Sequence, residues 1–213
     1  NVPIRIGMTG TIPKEPHEFN ALLVSIGPTS GEISAKELQD KGILSNCNIN
    51  ILQTVDDAEY STWDGEINYL CSDKKRLDWL EQKIRDIARS GNTLVLCTKI
   101  DLGKELSSRL DVPFMYGNVK SKDRKKEYKS INVAENEILL ATFGVASVGI
   151  SINRLFNLVI IEAGKSFTRS IQSVGRGLRI AEDKDHVEIY DICSTAKFSK
   201  RHLSKRKEYY KEA

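Results

Sequence analysis

Short apolar runs and helix-periodic stretches alternate along most of this chain. The runs at Ile4–Met8, Ile49–Thr54, Thr93–Thr98, Ile138–Thr142, Leu158–Glu162 and Val187–Ile192 are mostly near-continuous in Val, Ile and Leu. That is the pattern of strands covered on both faces, as in a parallel sheet. Between them, Asp73–Arg89 places Leu77, Leu80, Ile84 and Ile87 at spacings of three, four and three, with Gly91 as a stop signal. Asp101 is placed to cap a helix running to about Leu110, and Ser121 one running to about Val133. This alternation predicts right-handed crossovers and a doubly wound, mainly parallel α/β sheet. Such sheets bind ligands in the loops at the carboxyl ends of their strands.

The first 45 residues break the pattern. One apolar run leads into Gly7-Met8-Thr9-Gly10-Thr11. A helix follows, then a Gly/Pro/Ser-rich stretch at Gly27–Gly31 and a short helix ending at Gly42. One strand cannot form a domain, so residues 1–45 are expected to be the end of a preceding domain plus a linker. Residues 46–195 are then one α/β domain, and 196–213 a basic C-terminal helix.

With 213 residues and 40% hydrophobic positions, the chain can bury a sizeable core, which excludes general disorder. Its net charge of +3 says little, but the distribution says more. Asn118–Lys129 holds six basic residues against two acidic ones, Lys197–Ala213 seven against two, and the remainder is net acidic. Concentrated cations fit either a nucleic-acid partner or solvated helix faces. No apolar run approaches the roughly 18–20 residues of a membrane span. The chain starts without Met or a signal pattern, which reads as an excised or processed piece. Cys47, Cys71, Cys97 and Cys193 form no CxxC pair and read as reduced core residues inside apolar strands, which fits an intracellular, cytoplasmic protein. His17, His186 and His202 have no metal or triad spacing and read as surface positions. Asp56-Asp57 reads as a solvated turn. Trp79, one position off the Leu77/Leu80 stripe, reads as core edge. Tyr209-Tyr210 fits either base stacking or a terminal helix packed on the domain.

The densest chemistry is Gln172-Ser-Val-Gly-Arg-Gly-Leu-Arg179. Arg176 and Arg179, three apart, project from one side of a helix. Their guanidinium forks match phosphate oxygens, Gly175 permits close approach, and Gln172 offers a donor and an acceptor. Such a set can stabilise charge on a transferring phosphoryl group. Gly164-Lys165-Ser166 looks like the end of a phosphate-binding loop, but the glycine needed five residues earlier is Val159.

Gln-x-x-Gly-Arg-x-x-Arg resembles motif VI of superfamily-2 helicases and translocases, and four further elements follow that family's order. Thr9-Gly-Thr11 resembles motif III, and Leu94–Thr98 resembles motif IV. Tyr116-Gly117 with Arg124 resembles the Gly…Arg element that touches a nucleic-acid backbone. Ala141-Thr142 through Gly149-Ile-Ser151-Ile resembles motif V. The wording is closer to the phage UvsW branch than to the DEAD-box branch, in which His usually stands at the place of Gln172. The resemblance implies a motor of two RecA-like domains with ATP and Mg2+ in the cleft between them. This chain would hold the end of the first domain and all of the second. It implies Arg176 and Arg179 as arginine fingers with Gln172 beside them, and Gly149, Ser151 and Gly175 near the nucleotide. Thr98, Lys99, Arg124 and Thr142 would lie on the tracked strand, and Thr9 and Thr11 would couple the two sites. Ser151 stands where many relatives carry Asp, so it can hydrogen-bond but brings no charge. ATP and Mg2+ would be bound mainly by the missing first domain, so this chain alone is expected to be inactive. The expected partner is DNA, forked or branched, with no membrane. The alternatives are an RNA helicase, a restriction-system motor subunit, or a non-catalytic RecA-like module that binds nucleic acid. A small-molecule α/β enzyme would need a general base in a strand-end loop, and no candidate stands out.

Overall fold

A computed structural model describes residues 4–8, 12, 15–34, 37, 40–41, 46–56, 58–147, 152–164, 184 and 186–210. Its centre is one six-stranded sheet with every neighbouring pair parallel. The strands are β1 (Asn46–Thr54), β2 (Thr93–Cys97), β3 (Phe114–Met115), β4 (Ile138–Thr142), β5 (Asn157–Ile161) and β6 (His186–Ser194). They lie in the order β1-β6-β5-β2-β4-β3. The described helices are α1 (Pro16–Ile26), α2 (Trp63–Ser72), α3 (Lys74–Ala88), α4 (Ile100–Leu110), α5 (Ser121–Val133), α6 (Phe143–Ser147) and α7 (Lys197–Tyr210).

The strands read as continuous apolar runs because both faces are covered. Every residue of β2 and β5 is buried. Leu94 and Leu96 of β2 face a cluster with Ile131 of α5, Val145 and Ile189. Val95 and Cys97, on the other face, meet Leu77, Leu80, Ile84 and Ile87 of α3 and Leu102 and Leu106 of α4. The predicted α3 stripe is therefore the one that is buried. At Gly103 of α4 an added Cβ would run into the ring of Phe114, so the glycine leaves the space that this buried ring fills.

Several expectations need correcting. Ile4–Met8 is in no strand, and Ile4, Ile6 and Met8 are exposed. An apolar run becomes a strand only when a neighbour takes its ladder hydrogen bonds, and no described strand pairs with it. Asp73 does cap α3, accepting from Arg76 N at 2.8 Å, but it also closes α2, a helix the pattern did not predict. Lys99 and Lys120, not Asp101 and Ser121, hold the N-cap positions of α4 and α5. Cys71 lies on α2, not in a strand. Trp79, expected at the core edge, is 37% exposed and belongs to neither core cluster, since its position one off the stripe turns it outward.

The basic C-terminal helix exists and is anchored. Ala196, the residue preceding its first turn, has no side-chain acceptor, and Ala is a poor N-cap. Glu66 of α2 supplies one instead: its carboxylate accepts from Phe198 N at 2.9 Å and Ser199 N at 2.7 Å. Further along, Arg206 donates to both oxygens of Asp191 at 2.7 and 2.8 Å, and Tyr210 Oη donates to Asp191 Oδ2 at 2.7 Å. Tyr210 thus packs on the domain. Asp191 is fully buried and Arg206 is 2% exposed, so losing one partner strands a buried charge. Arg206→Ala is expected to cost about 3–5 kcal/mol of unfolding free energy in urea titrations. Arg206→Met with Asp191→Leu, which removes both charges at once, is expected to recover most of that loss.

Candidate nucleic-acid interface at the carboxyl edge of the sheet

A parallel sheet brings all its carboxyl ends to one edge, and the register decides which residues meet there. Cys97 pairs with Thr142 on one side and Ile161 on the other, Ile161 pairs with Ile192, and Thr54 pairs with Ser194. Thr98, Thr142, Glu162, Ser194 and Thr54 thus end their strands in one row.

Glu162 organises the row. It is 1% exposed with φ 47°, a left-handed conformation that costs a non-glycine residue about 1–2 kcal/mol. Its neighbours hold it there. Its N–H donates to Ile192 O at 2.9 Å, and its carbonyl accepts from Thr98 Oγ1 at 2.8 Å. Its carboxylate takes Arg76 Nη2 at 2.5 Å on one oxygen and lies 2.7 Å from Ser199 Oγ on the other. Arg76 also donates to Thr54 Oγ1 and lies 3.4 Å from Asp56 Oδ2, which accepts from Thr54 and Ser194 hydroxyls. Asp56 is therefore part of an inward ion-pair network and not a solvated turn residue; Asp57 lies outside the described residues. His202, expected at the surface, is 4% exposed and stacks edge-on against Trp63 at 4.5 Å. His17 and His186 are exposed, as expected.

Burial pushes the Glu162 carboxyl up to about 7, and the charge of Arg76 only partly opposes this. Ser199 Oγ is also 2.8 Å from Glu66 Oε1, and one hydroxyl proton cannot serve both carboxylates. With Glu162 protonated, its hydrogen goes to Ser199 while Ser199 gives its own to Glu66. Burial also pushes the Cys71, Cys97 and Cys193 thiols up to about 12, which leaves them inert as nucleophiles.

Of the expected strand-binding residues, Thr98 and Thr142 are brought together by register, Thr98 exposed and Thr142 half-buried. Lys99 follows Thr98 and reaches Asp64 Oδ1 at 3.1 Å. That pair is exposed, worth about 0–1 kcal/mol, and exchangeable for a phosphate. Arg124 sits on α5, half-buried, beyond the loop that holds Tyr116 and Gly117. A Cβ on Gly117 would meet open space, so the packing around it does not demand glycine. Thr9, Thr11, Gly149, Ser151, Gln172, Gly175, Arg176 and Arg179 lie outside the described residues, as do Lys165 and Ser166. Val159 is fully buried in β5, which bars a phosphate loop around it. Among the described residues no three His, Cys, Asp or Glu side chains gather as metal ligands, and no helix is long and apolar enough to cross a membrane. Motif spacing missed Glu162, Arg76, Glu66 and Ser199, whose contacts with one another span 37 to 133 residues of chain.

The helicase conserved C-terminal domain, as a sequence family, matches residues 75–181, half of the chain. The chain belongs to that family. The matched span takes in Thr98, Arg124, Thr142, Arg176 and Arg179. Over 98% of this chain and 44% of its own length, the ATP-dependent DNA helicase uvsW of Enterobacteria phage T4 is 21% identical. The DNA 3'-5' helicase XPB of Kineococcus radiotolerans is 26% identical over 89% of this chain and 35% of its own length. The crystal structure of T4 UvsW superposes with a TM-score of 0.63, at 20% identity, over 78% of this chain and 39% of that one. The likeness is one of fold, and it agrees with the RecA-like α/β class expected from the sequence. The chain spans less than half the length of these relatives.

Raised pKa values make stability depend on pH with a definite sign. Between about 4.5 and about 7 the folded chain keeps a proton on Glu162 that the unfolded chain releases. That contribution is fully present below about pH 4.5 and lost as pH rises through about 7. Glu162→Gln, a fixed mimic of the protonated form, is insensitive to this titration. From about pH 5 to about pH 8 its stability relative to the parent sequence should rise by about 2–3 kcal/mol. Urea titrations at the two pH values measure it, and an unchanged difference would mean that Glu162 is ionised throughout.

Proposed function

We propose that this chain is the second motor half of an ATP-dependent superfamily-2 DNA helicase or translocase that acts on branched DNA in recombination, repair or replication. The family match carries the reading, because it encloses the paired arginines and the strand-end threonines in one span. DNA is preferred to RNA because both relatives are named DNA helicases. Residues 1–45 would be the end of a first RecA-like domain with its linker, 46–195 the second motor domain, and 196–213 an appended basic helix. Buried thiols at Cys97 and Cys193 are in keeping with a reducing, cytoplasmic setting.

The nucleic-acid part of the mechanism draws its support from the edge geometry. Thr98, Lys99 and Thr142 meet the backbone of one strand at the carboxyl edge, and Arg124 meets it from α5. Contacts of this kind ignore base identity, as a motor that walks over any sequence requires. The nucleotide part rests on residues outside the described set. Gly149, Ser151 and Gly175 would border the nucleotide, and Arg176 and Arg179, with Gln172, would stabilise charge on its terminal phosphate. ATP with Mg2+ supplies the energy-yielding phosphoryl transfer and would be held mainly by the first domain. Thr9 and Thr11 would link its state to the strand path.

Arg179→Ala in the intact protein is expected to lower DNA-stimulated ATP turnover by about 10³–10⁵, with DNA affinity within about twofold of the parent. Equal loss of turnover and DNA binding would assign Arg179 to the DNA or to folding. The 213-residue chain alone is expected to show no turnover, and Arg179-dependent hydrolysis by it would contradict the division of labour between the halves. Stimulation by forked DNA but not by structured RNA is the outcome that separates DNA from RNA motors.

A further inference from the structure

The two faces of the sheet carry their charges differently. On the face covered by α3 and α4, the arginines are matched with acids: Arg85 with Glu81 at 3.1 Å, Arg109 with Asp78 and Glu105 at 2.7 Å each, Arg89 with Asp86 at 3.4 Å. α7 is built otherwise. Ser199, His202, Leu203 and Arg206, at spacings of three, one and three, are buried. Lys200, Arg201, Lys205 and Lys207 on its outer side are exposed, and among the described residues none of them is in an ion pair.

The stripe is not on a loose tail. Glu66 holds the first turn of α7, and Arg206 and Tyr210 hold its last turns to buried Asp191. The helix starts three residues after β6 ends, at the same edge as Thr98 and Thr142. Two successive contacts tie it to that loop: Ser199 Oγ to Glu162 Oε2 at 2.7 Å, and Glu162 O to Thr98 Oγ1 at 2.8 Å. Pre-ordered cations in a fixed relation to a backbone-binding loop gain from a polyanion without the ordering cost of a flexible arm.

We infer that the exposed stripe of α7, centred on Lys200, Arg201 and Lys205, is a second contact for the phosphate backbone of the nucleic acid engaged at the carboxyl edge. The inference rests on the nucleic-acid reading of that edge and adds a site to it. Its partner is a backbone of several consecutive phosphates, read by charge and not by base. Each neutralised phosphate of a duplex contributes about 0.9 to the slope of log affinity against log salt.

The test uses the intact protein, a labelled forked DNA duplex and fluorescence anisotropy between about 50 and about 200 mM salt. The triple variant Lys200→Glu, Arg201→Glu and Lys205→Glu is expected to weaken binding at least about tenfold and to flatten the salt slope by about 2–3. A charge-matched control on the other face, Lys83→Glu, Arg85→Glu and Arg89→Glu in the second half and C-cap of α3, away from the carboxyl edge, is expected to leave the slope unchanged. Circular dichroism melts confirm that both variants stay folded. Equal weakening by the two triples would reduce the effect to net charge and overturn the inference. A parental slope in the α7 triple, with binding still lost on Arg124→Glu with Thr142→Ala, would overturn the α7 site and leave the edge reading standing. Full binding by both sets of variants would overturn both. Repeating the series with duplex RNA of equal length tells which backbone gains from the stripe.

Discussion

Glu162 is a carboxyl group buried at the end of a central strand, and the surroundings of the carboxyl edge follow from that placement. An isolated buried carboxylate costs far more than a marginally stable domain can absorb. It is therefore met by Arg76, itself 5% exposed and needing partners of its own. Those partners are Thr54 and Asp56 after β1, and Asp56 in turn takes Ser194 at the end of β6. On the other side Ser199 passes the network to Glu66 and the first turn of α7. Three strand ends and three helices are thus fixed relative to one another by polar contacts that exist because one acid is inside. Apolar packing alone leaves element ends free to shift, whereas a buried hydrogen-bonded set does not.

That rigidity bears on what the edge can do. A residue that contacts a moving strand needs a fixed mount, and Thr98 hydrogen-bonds to the carbonyl of the residue most tightly held. The groups nearest solvent are tied weakly by comparison: among the described residues Lys99 is paired with Asp64, whose side chain is 80% exposed. Strong contacts inward and replaceable ones outward suit a surface that must grip and release a backbone repeatedly.

The fold was legible because its strands are buried on both faces. β2, β4 and β5 read as continuous apolar runs, and α3 shows its stripe in the spacing of four residues. The same rule misled at Ile4–Met8, since hydrophobicity marks a segment that wants cover and not one that has a neighbour to pair with. α2 escaped notice because one of its three buried residues is Glu66, which breaks the apolar pattern. β3 has two residues, too few for any period to appear. His202 and Asp56 read as surface residues from spacing alone, because the partners that turn Asp56 inward, Arg76 and Ser194, stand 20 and 138 residues away. Of the candidate site, Thr98 and Thr142 were recoverable as the last residues of apolar runs. The groups that hold them were not, since parallel connections put long stretches of chain between neighbours.

Burying acids at this edge has an electrostatic consequence. Asp56, Glu66, Glu162 and Asp191 all lie close to the surface where a nucleic-acid backbone would run. Exposed and ionised, they would repel it over roughly the 8–10 Å screening length of physiological salt. Instead each is turned inward. Asp191 is matched by Arg206, Asp56 by Arg76, and Glu66 by two helix N–H groups, while burial favours the neutral form of Glu162 near pH 7. Many of the exposed acids belong to the opposite sheet face and the N-terminal segment, while Asp64 at the edge is paired with Lys99. On the proposed reading, the cations that would meet a phosphate approaching the edge are Lys99, Arg124 and the outer stripe of α7. A chain whose net charge is only +3 can in this way present a cationic surface along one path.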